Sequence, residues 1–360
     1  MYSLSDIKQV HLESTTYCNA SCPQCARNNA GGLVNPNLPL KHLTLEDCKK
    51  IFTEDFLKQL QLVFMCGNYG DPLMSPYTLD ILEYFKSVNP KITLGIHTNA
   101  SGRNKDWWER LAKVVSYCKF GIDGLEDTNH IYRKNTDWNT ITQNIKYYVN
   151  AGGVAHWDFI VFKHNQHQVE EAFQLSKDLG FKMFNVKKTE RFYNPSIAYP
   201  NFKKEVLNKN FETEYKIEPP DDPRYINHPS KKLTEFVKSE LDFKAYLETT
   251  EIKCTAIKNK QIYISAEGLV FPCCYVSNIY RINSTFNVEQ VLTLIDDLPE
   301  KSNSLSAKIN SLDQIISNRF FQQTIPESWS KESFKEGKLY TCARTCGNYK
   351  LCVSSEVFKN

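Results

Sequence analysis

The chain has 360 residues, of which 41% are hydrophobic and 24% charged, and a formal net charge of +3; so small an excess gives no argument for nucleic acid or an anionic membrane as partner. No apolar run approaches the roughly 20 residues that span a bilayer, and "MYSLSDIKQV" lacks the basic and apolar regions of a signal peptide, so a cytoplasmic location is expected. In that compartment twelve cysteines point to metal or redox chemistry rather than disulfides.

From residue 8 to about 188, strand and helix patterns alternate. "KQVHLES" reads as a strand, and a cysteine loop follows it. "TLEDCKKIFTEDFLKQL" reads as one helix, with Thr44 as N-cap and Asp47 three residues later in a near capping box. Its apolar stripe is Leu45, Cys48, Ile51 and Phe52. "LQLVFMC" suits a buried parallel strand. A helix over about 76–87, the strand "KITLGIHT", a helix over about 105–116 and the strand "KFGID" come next. A helix over about 138–150, the strand "WDFIVFK", a helix over about 167–179 and the strand "KMFNVKK" complete six strand–helix units. Six units fall short of a closed eight-fold barrel. The predicted fold is α/β: a partial (β/α)6 TIM-like barrel with ligands at the carboxyl ends of its strands.

Residues 194–250 are rich in Pro, Asn and charge and lack a convincing period, which suits a connecting or capping segment. From 251 the cysteines return, and "QIYISAEGLVFPCC" reads as a β-hairpin turning at Glu267-Gly268. The expected organisation is therefore 1–193 barrel, 194–250 connector, and 251–360 a small cysteine-rich α+β domain.

Cys18, Cys22 and Cys25 place three thiols inside eight positions, after the first strand. Three thiolates can hold three corners of a [4Fe–4S] cube and leave the fourth iron open to a small molecule. Structural zinc prefers four protein ligands, a catalytic zinc could use three and a water, and disulfide pairing would leave one cysteine over.

This CxxxCxxC loop, "TYCNASCPQC", resembles that of the radical S-adenosylmethionine (radical SAM) enzymes. In that family the open iron is chelated by the amine and carboxylate of SAM. Electron transfer then yields a 5′-deoxyadenosyl radical. The resemblance places Tyr17 just before the first ligand. It also marks Gln24 as a departure, since an aromatic residue near adenine is common there. "GNYGDPL" resembles the family's GGEP segment, so Gly70, Asp71 and Pro72 are implied at the SAM amino group, with Asp for the usual Glu. "IHTNAS" resembles the third-strand segment, implying Thr98 and Asn99 near the ribose. "GIDG" resembles "SIDG", which brings in Asp123, although Gly121 replaces a hydroxyl. "HIYRKNTDWNTITQNI" resembles the segment whose arginine pairs with the SAM carboxylate, implying Arg133. "FNVKK" makes Val186 an adenine neighbour. Each landmark alone has a bland reading as a turn, a loop residue or a solvated charge; their order at successive strand ends is what unites them.

The tail, with Cys254, Gly268, Cys273 and then Cys-x3-Cys-x5-Cys, resembles the SPASM or shorter twitch domain. That implies one auxiliary [4Fe–4S] cluster on Cys254, Cys273, Cys346 and Cys352, with Cys342 as rival; a structural zinc knot is the alternative. Cys274, adjacent to Cys273, is hard to fit to the same cube. Cys48 and Cys118 suit the core. Cys66, at the end of the second strand, suits packing or, as a catalytic role, hydrogen-atom donation to a substrate radical.

The resemblance implies an oxidoreductase or maturase fed by a reductant such as flavodoxin or ferredoxin. The implied reaction is hydrogen abstraction from a peptide or protein, ending in oxidation, crosslinking or epimerisation. The alternatives are dehydrogenation of a sugar or other small molecule and, in another class, an iron–sulfur electron carrier or a zinc-stabilised binding protein. No leader-binding domain is read before residue 8, so peptide recognition is expected from 194–250, the tail or a partner.

Overall fold

A computed structural model describes residues 1–360 except 190, 193–202, 228–236, 238, 282–284, 348–355 and 360. In chain order come β1 (Gln9–Leu12), α1 (Leu45–Ile51), α2 (Glu54–Gln59), β2 (Leu62–Met65), α3 (Thr78–Val88) and β3 (Thr93–Thr98). Then follow α4 (Lys105–Val114), β4 (Tyr117–Gly121), the short α5 (Asn129–Tyr132), α6 (Trp138–Asn150), β5 (Ala155–Val161), α7 (Val169–Asp178) and β6 (Met183–Lys188). The rest comprises β7 (Lys204–Leu207), β8 (Thr213–Ile217), α8 (Glu240–Glu248), α9 (Thr255–Lys258), β9 (Gln261–Ile264) and β10 (Val270–Phe271). Last are α10 (Thr285–Asp296), α11 (Leu312–Ser317), α12 (Ile325–Trp329), α13 (Tyr340–Cys346) and β11 (Glu356–Lys359).

The alternation of strand and helix through β6 is the one read from the hydrophobic pattern, with one helix divided. The capping box forms as expected: Asp47 N–H donates to Thr44 Oγ1 and Thr44 N–H to Asp47 Oδ2, both at 3.0 Å. The helix stops at Phe52, however, whose φ of −98° and ψ of 78° leave the helical region. Thr53 then caps a second helix, accepting Phe56 N–H at 3.3 Å. Residues 204–217, expected as part of an aperiodic connector, form an antiparallel ribbon of β7 and β8.

The chain divides into two compact units. The first comprises 1–17, 36–94 and 244–349, and the second 18–35, 95–243 and 350–360. In the first unit β1 lies between β2 and β9, parallel to both, with Val10 opposite Val63 on one side and Ile262 on the other. β10 folds back antiparallel on β9, around a turn in which Gly268 has φ +87°. Val10, Leu12, Val63, Met65, Phe52, Phe85, Ile262 and Ile264 are all without solvent exposure.

In the second unit β4 runs parallel to β3 and β5, and β5 to β6, while β11 pairs antiparallel with β6. Its core is aromatic: Trp157 meets Phe184 edge-on at 5.4 Å and Trp108 stacks on Phe120 at 5.8 Å. The Trp157 indole N–H, buried with its ring, donates to the Ile122 carbonyl at 2.8 Å, which removes the penalty of an unpaired polar atom. Among the described residues β1 pairs with β2 and β9, and β6 with β5 and β11, so no pairing of β1 with β6 closes the barrel. The fold is a mixed α/β one with a parallel sheet, of the partial TIM-like kind. Among the described residues no helix is long and apolar enough to cross a membrane.

Replacing Thr44 by Ala removes the side-chain half of the α1 capping box, the acceptor of Asp47 N–H, and should lower stability by about 1 kcal/mol. Urea unfolding would register this as a lower midpoint with unchanged slope.

Candidate active site

In the second unit the cysteine loop is a set of tight turns pinned to the segment after α5. Ser21 N–H donates to the Lys134 carbonyl at 2.9 Å, Cys25 N–H to the Cys22 carbonyl at 3.0 Å, and Asn28 N–H to the Cys25 carbonyl at 3.1 Å. Cys22 is buried in a patch with Ala20, Tyr132, Phe162, Phe192, Val206 and Ile217, and the half-buried Cys18 and Cys25 pack on the same patch. Burial pushes the Cys22 thiol up to about 11, with the Arg133 guanidinium pulling the other way. N–H groups already approach two of the sulfurs. Ala20 N–H donates to Cys18 Sγ at 3.3 Å, Asn99 Nδ2 approaches the same sulfur at 3.8 Å, and Arg133 Nη1 lies 3.9 Å from Cys22 Sγ.

Two of these groups are held by neighbours at strand ends. Asn99, just past β3, donates to Asn19 Oδ1 at 2.9 Å and accepts Ser101 N–H at 2.8 Å, so its amide has one orientation. Thr98 Oγ1 accepts Ala100 N–H at 3.1 Å. Arg133 donates from Nε to Asp123 Oδ2 at 2.6 Å, and Asp123 Oδ1 accepts Ile160 N–H at 2.6 Å. Asp123 is fully buried. Burial pushes its carboxyl up while the guanidinium opposes that shift; since a guanidinium keeps its proton, the two form an ion pair. Gly121 also finds its reason: a Cβ there would stand 2.6 Å from Arg133 Nη2. Both polar atoms of the Gln24 amide are buried and lack a hydrogen-bond partner. Val186 is fully buried in β6, in register with Phe159 of β5.

In the first unit the chain after β2 forms a loop that glycine makes possible. A Cβ on Gly70 would lie 1.9 Å from the Thr15 carbonyl oxygen, and one on Gly67 1.8 Å from that of Gly70. The Tyr17 carbonyl accepts Asp71 N–H at 2.8 Å, and the Tyr17 ring stacks on His42 at 4.5 Å. Asp71 is buried and its Oδ1 accepts Leu73 N–H at 3.1 Å, capping the short turn that Pro72 begins. Glu13, which reading the sequence passed over, is buried beside this loop and accepts Tyr69 N–H at 2.7 Å and Gly70 N–H at 3.0 Å. Its one sequence signal is a carboxylate at the end of a strand that is otherwise buried.

The tail cysteines of the first unit are gathered from three places. Cys254 precedes α9, Cys273 follows β10, and Cys342 and Cys346 stand four apart on α13, on one face of that helix. A bridge between Ile252 and Gly347, with Lys253 N–H on the Cys346 carbonyl at 2.9 Å, brings the two ends together. Cys254 and Cys346 share a hydrogen bond, which raises the first thiol and lowers the second. Burial pushes Cys273 up to about 11, with Cys346 adding to it, and Cys342 is raised by burial and then by Cys273. Cys352 lies outside the described residues. Burial also raises Cys274, which feels Cys273, Cys66 and Glu13 in turn. Cys66 is half-buried, while Cys48 and Cys118 are fully buried core residues. Among the described residues no three His, Cys, Asp or Glu side chains converge as ligands of a single metal ion.

Residues 12–182 match the radical SAM superfamily. The chain carries a radical SAM domain. Solved structures agree in fold. Streptococcus suis SuiB bound to precursor peptide SuiA is 14% identical over 94% of this chain and 76% of that one, with a TM-score of 0.54. Native anSMEcpe with bound AdoMet and Cp18Cys peptide is 13% identical over 96% and 92%, with a TM-score of 0.52. Against SuiB bound to S-adenosylmethionine the match covers 75% of this chain and only 60% of that one, at 17% identity and a TM-score of 0.49. No curated protein matches the sequence. Members of the radical SAM superfamily are enzymes, and the family implies a [4Fe–4S] cluster and SAM.

Two outcomes follow for this radical SAM domain and its neighbouring strand. Asp123→Asn removes the charge partner of a half-buried guanidinium and should destabilise the folded chain by about 2 kcal/mol, measurable by chemical denaturation. His11 stacks on Phe64 at 4.5 Å and donates to the Cys66 carbonyl. Burial pushes its imidazole down to about 4 from 6.5. The unfolded chain therefore takes up this proton first as pH falls, and stability drops between pH 6.5 and 4. His11→Gln keeps a donor that does not titrate, so its unfolding midpoint should fall less steeply over pH 6.5 to 5 than that of the parent.

Proposed function

We propose that the chain is a radical SAM enzyme that cleaves SAM reductively and removes a hydrogen atom from a carbon of a peptide or protein substrate, leading to oxidation, a crosslink or epimerisation. The observation that carries this reading is the Cys18, Cys22 and Cys25 loop with N–H groups directed at two of its sulfurs. Such donors are what cluster thiolates need in a protein interior. The donor set therefore fits the cofactor that the family implies. When bound through these three cysteines, the [4Fe–4S] cluster supplies an electron and an open iron for SAM, whose cleavage gives the radical that abstracts hydrogen.

The protein's own part is placement. Asp123 acts through Arg133: a guanidinium already fixed by an ion pair loses little freedom when it meets the SAM carboxylate. Asn99 is likewise fixed, by Asn19 and Ser101, and with Thr98 is assigned to the ribose. The orphaned amide of Gln24 supplies a donor and an acceptor for a ligand's polar edge, where an aromatic residue would offer only a face. Val186 remains the apolar candidate for adenine. In the first unit Tyr17, Gly70, Asp71 and Pro72 keep the amino-group role that their motif implies. Cys66 remains the candidate hydrogen-atom donor. The approach of Cys254 to Cys346 and of Cys273 to both Cys346 and Cys342 supports an auxiliary [4Fe–4S] cluster in the tail on Cys254, Cys273 and Cys346, with Cys352 as the fourth ligand and Cys342 as its rival. A peptide substrate is supported by the fold-level neighbours SuiB and anSMEcpe, both solved with peptides. A small flavodoxin or ferredoxin is the fitting reductant.

Anaerobic reconstitution with iron, sulfide, dithionite and SAM should yield 5′-deoxyadenosine. The Cys18, Cys22 and Cys25 triple alanine variant should yield none, and turnover by that variant would defeat the reading. Two cubes correspond to about eight irons per chain and one cube to about four. Iron analysis of the Cys254→Ala and Cys346→Ala variants should show the loss of about four relative to the parent.

A further inference from the structure

Glu13 sits at the carboxyl end of β1 with 2% of its surface exposed. A carboxylate is buried at such a position only if donors surround it, and here they come from two stretches far apart in sequence. Oε1 accepts Tyr69 N–H at 2.7 Å and Gly70 N–H at 3.0 Å, and the Tyr263 hydroxyl of β9 donates to Oε2. The loop 67–71 belongs to neither helix nor strand, so its amides have no ladder partners and need this acceptor.

The rest of the loop is tied down on both sides. Asn68 Nδ2 donates to the Cys274 carbonyl at 2.8 Å and to Ser277 Oγ at 3.2 Å. Tyr280 N–H reaches Tyr69 Oη at 3.4 Å, and Tyr280 Oη donates to Glu267 at 2.6 Å. On the other side, Asp71 N–H is held by Tyr17 at 2.8 Å, and Gly70 lies against the Thr15 carbonyl. The loop thus has one wall from β1 and its extension and a second from the tail hairpin, and Glu13 binds the backbone of the loop on one oxygen and the hairpin strand β9 on the other.

We propose that Glu13 is a positioning residue that, together with Tyr263, sets the 67–71 loop in its SAM-binding conformation, so that the cysteine-rich tail forms a required wall of that loop. This rests on the assignment of the loop to the SAM amino group. Glu13 touches no reacting atom; it acts through the backbone of Tyr69 and Gly70. Glutamine can replace it, because Oε1 still accepts the two amides while Nε2 donates to the Tyr263 oxygen. Leucine cannot.

The test uses the full-length, cluster-loaded chain and three variants. Glu13→Leu should weaken equilibrium SAM binding tenfold or more at unchanged iron content, and should speed amide hydrogen exchange in the peptide covering 66–73. Glu13→Gln should restore both to within about threefold of the parent. Tyr263→Phe, which removes a single hydroxyl and is the least disruptive for folding, should speed exchange in the same peptide, although it lies far away in sequence. Parental SAM affinity and parental exchange in Glu13→Leu would overturn the proposal, as would a Glu13→Gln variant as impaired as the leucine one. Failure of the parent itself to bind SAM would count against the proposed function instead, and the exchange measurements would still decide whether Glu13 holds the loop.

Discussion

A carboxylate buried in a protein interior has to be neutralised, and in the second unit the half-buried Arg133 does it for Asp123. The pair at 2.6 Å is closed to water on the aspartate side and is braced by Ile160 N–H. Removing two charges from water costs about as much as their attraction returns, so this pair adds little net stability. What it adds is position. With Nε engaged, the guanidinium plane is fixed, Nη1 falls beside Cys22, and β4 must end in a glycine to leave Nη2 its space. A requirement that starts as electrostatics thus reaches the identity of a residue with no side chain. A serine or any other side chain at position 121 would compete for the room that has gone to Arg133.

Much of this architecture was legible in the sequence, for a physical reason. Strands that are buried on both faces become short apolar runs, and "LQLVFMC" and "KITLGIHT" could hardly be anything else. The break between α1 and α2 left no such mark. Phe52, Phe56 and Leu57 are all buried, so the apolar stripe runs on through the break and outweighs the start signal of Thr53 followed by Glu54 and Asp55. The ribbon of β7 and β8 was hidden differently. Val206 and Ile217 are its fully buried residues, one on each strand, and its turn holds the positive-φ position with Phe211 at +64° rather than with glycine. With no alternation and no glycine at the turn, the stretch reads as a connector, although Asn208 accepts Asn210 and Glu212 N–H within it.

The same division runs through the candidate site. Three cysteines within eight positions announce themselves by spacing. Asn99 and Arg133 become candidates only because landmarks occur in order at successive strand ends. Asn19 and Glu13 could not be found at all, because their meaning lies in partners brought to them by folding: Asn99 lies 80 positions from Asn19, and Tyr263 lies 250 from Glu13. A polar residue whose partners are distant looks in the sequence like any other polar residue.

Distance along the chain also separates the two proposed cluster sites. Cys18, Cys22 and Cys25 are near one another in sequence, so few distant contacts are needed to bring them together. The tail set is not. Cys254 and Cys346 meet through the Ile252–Gly347 bridge, and the hairpin leading to Cys273 is held by a parallel pairing of β9 with β1 across about 250 residues. Closing so long a loop is slow, because its entropy must be surrendered before any contact repays it. The proposed auxiliary site thus depends on pairings far apart in the chain, as the cysteine loop does not. The hairpin that carries Cys273 is ordered against β1, and β1 is the strand from whose end Glu13 reaches the loop after β2.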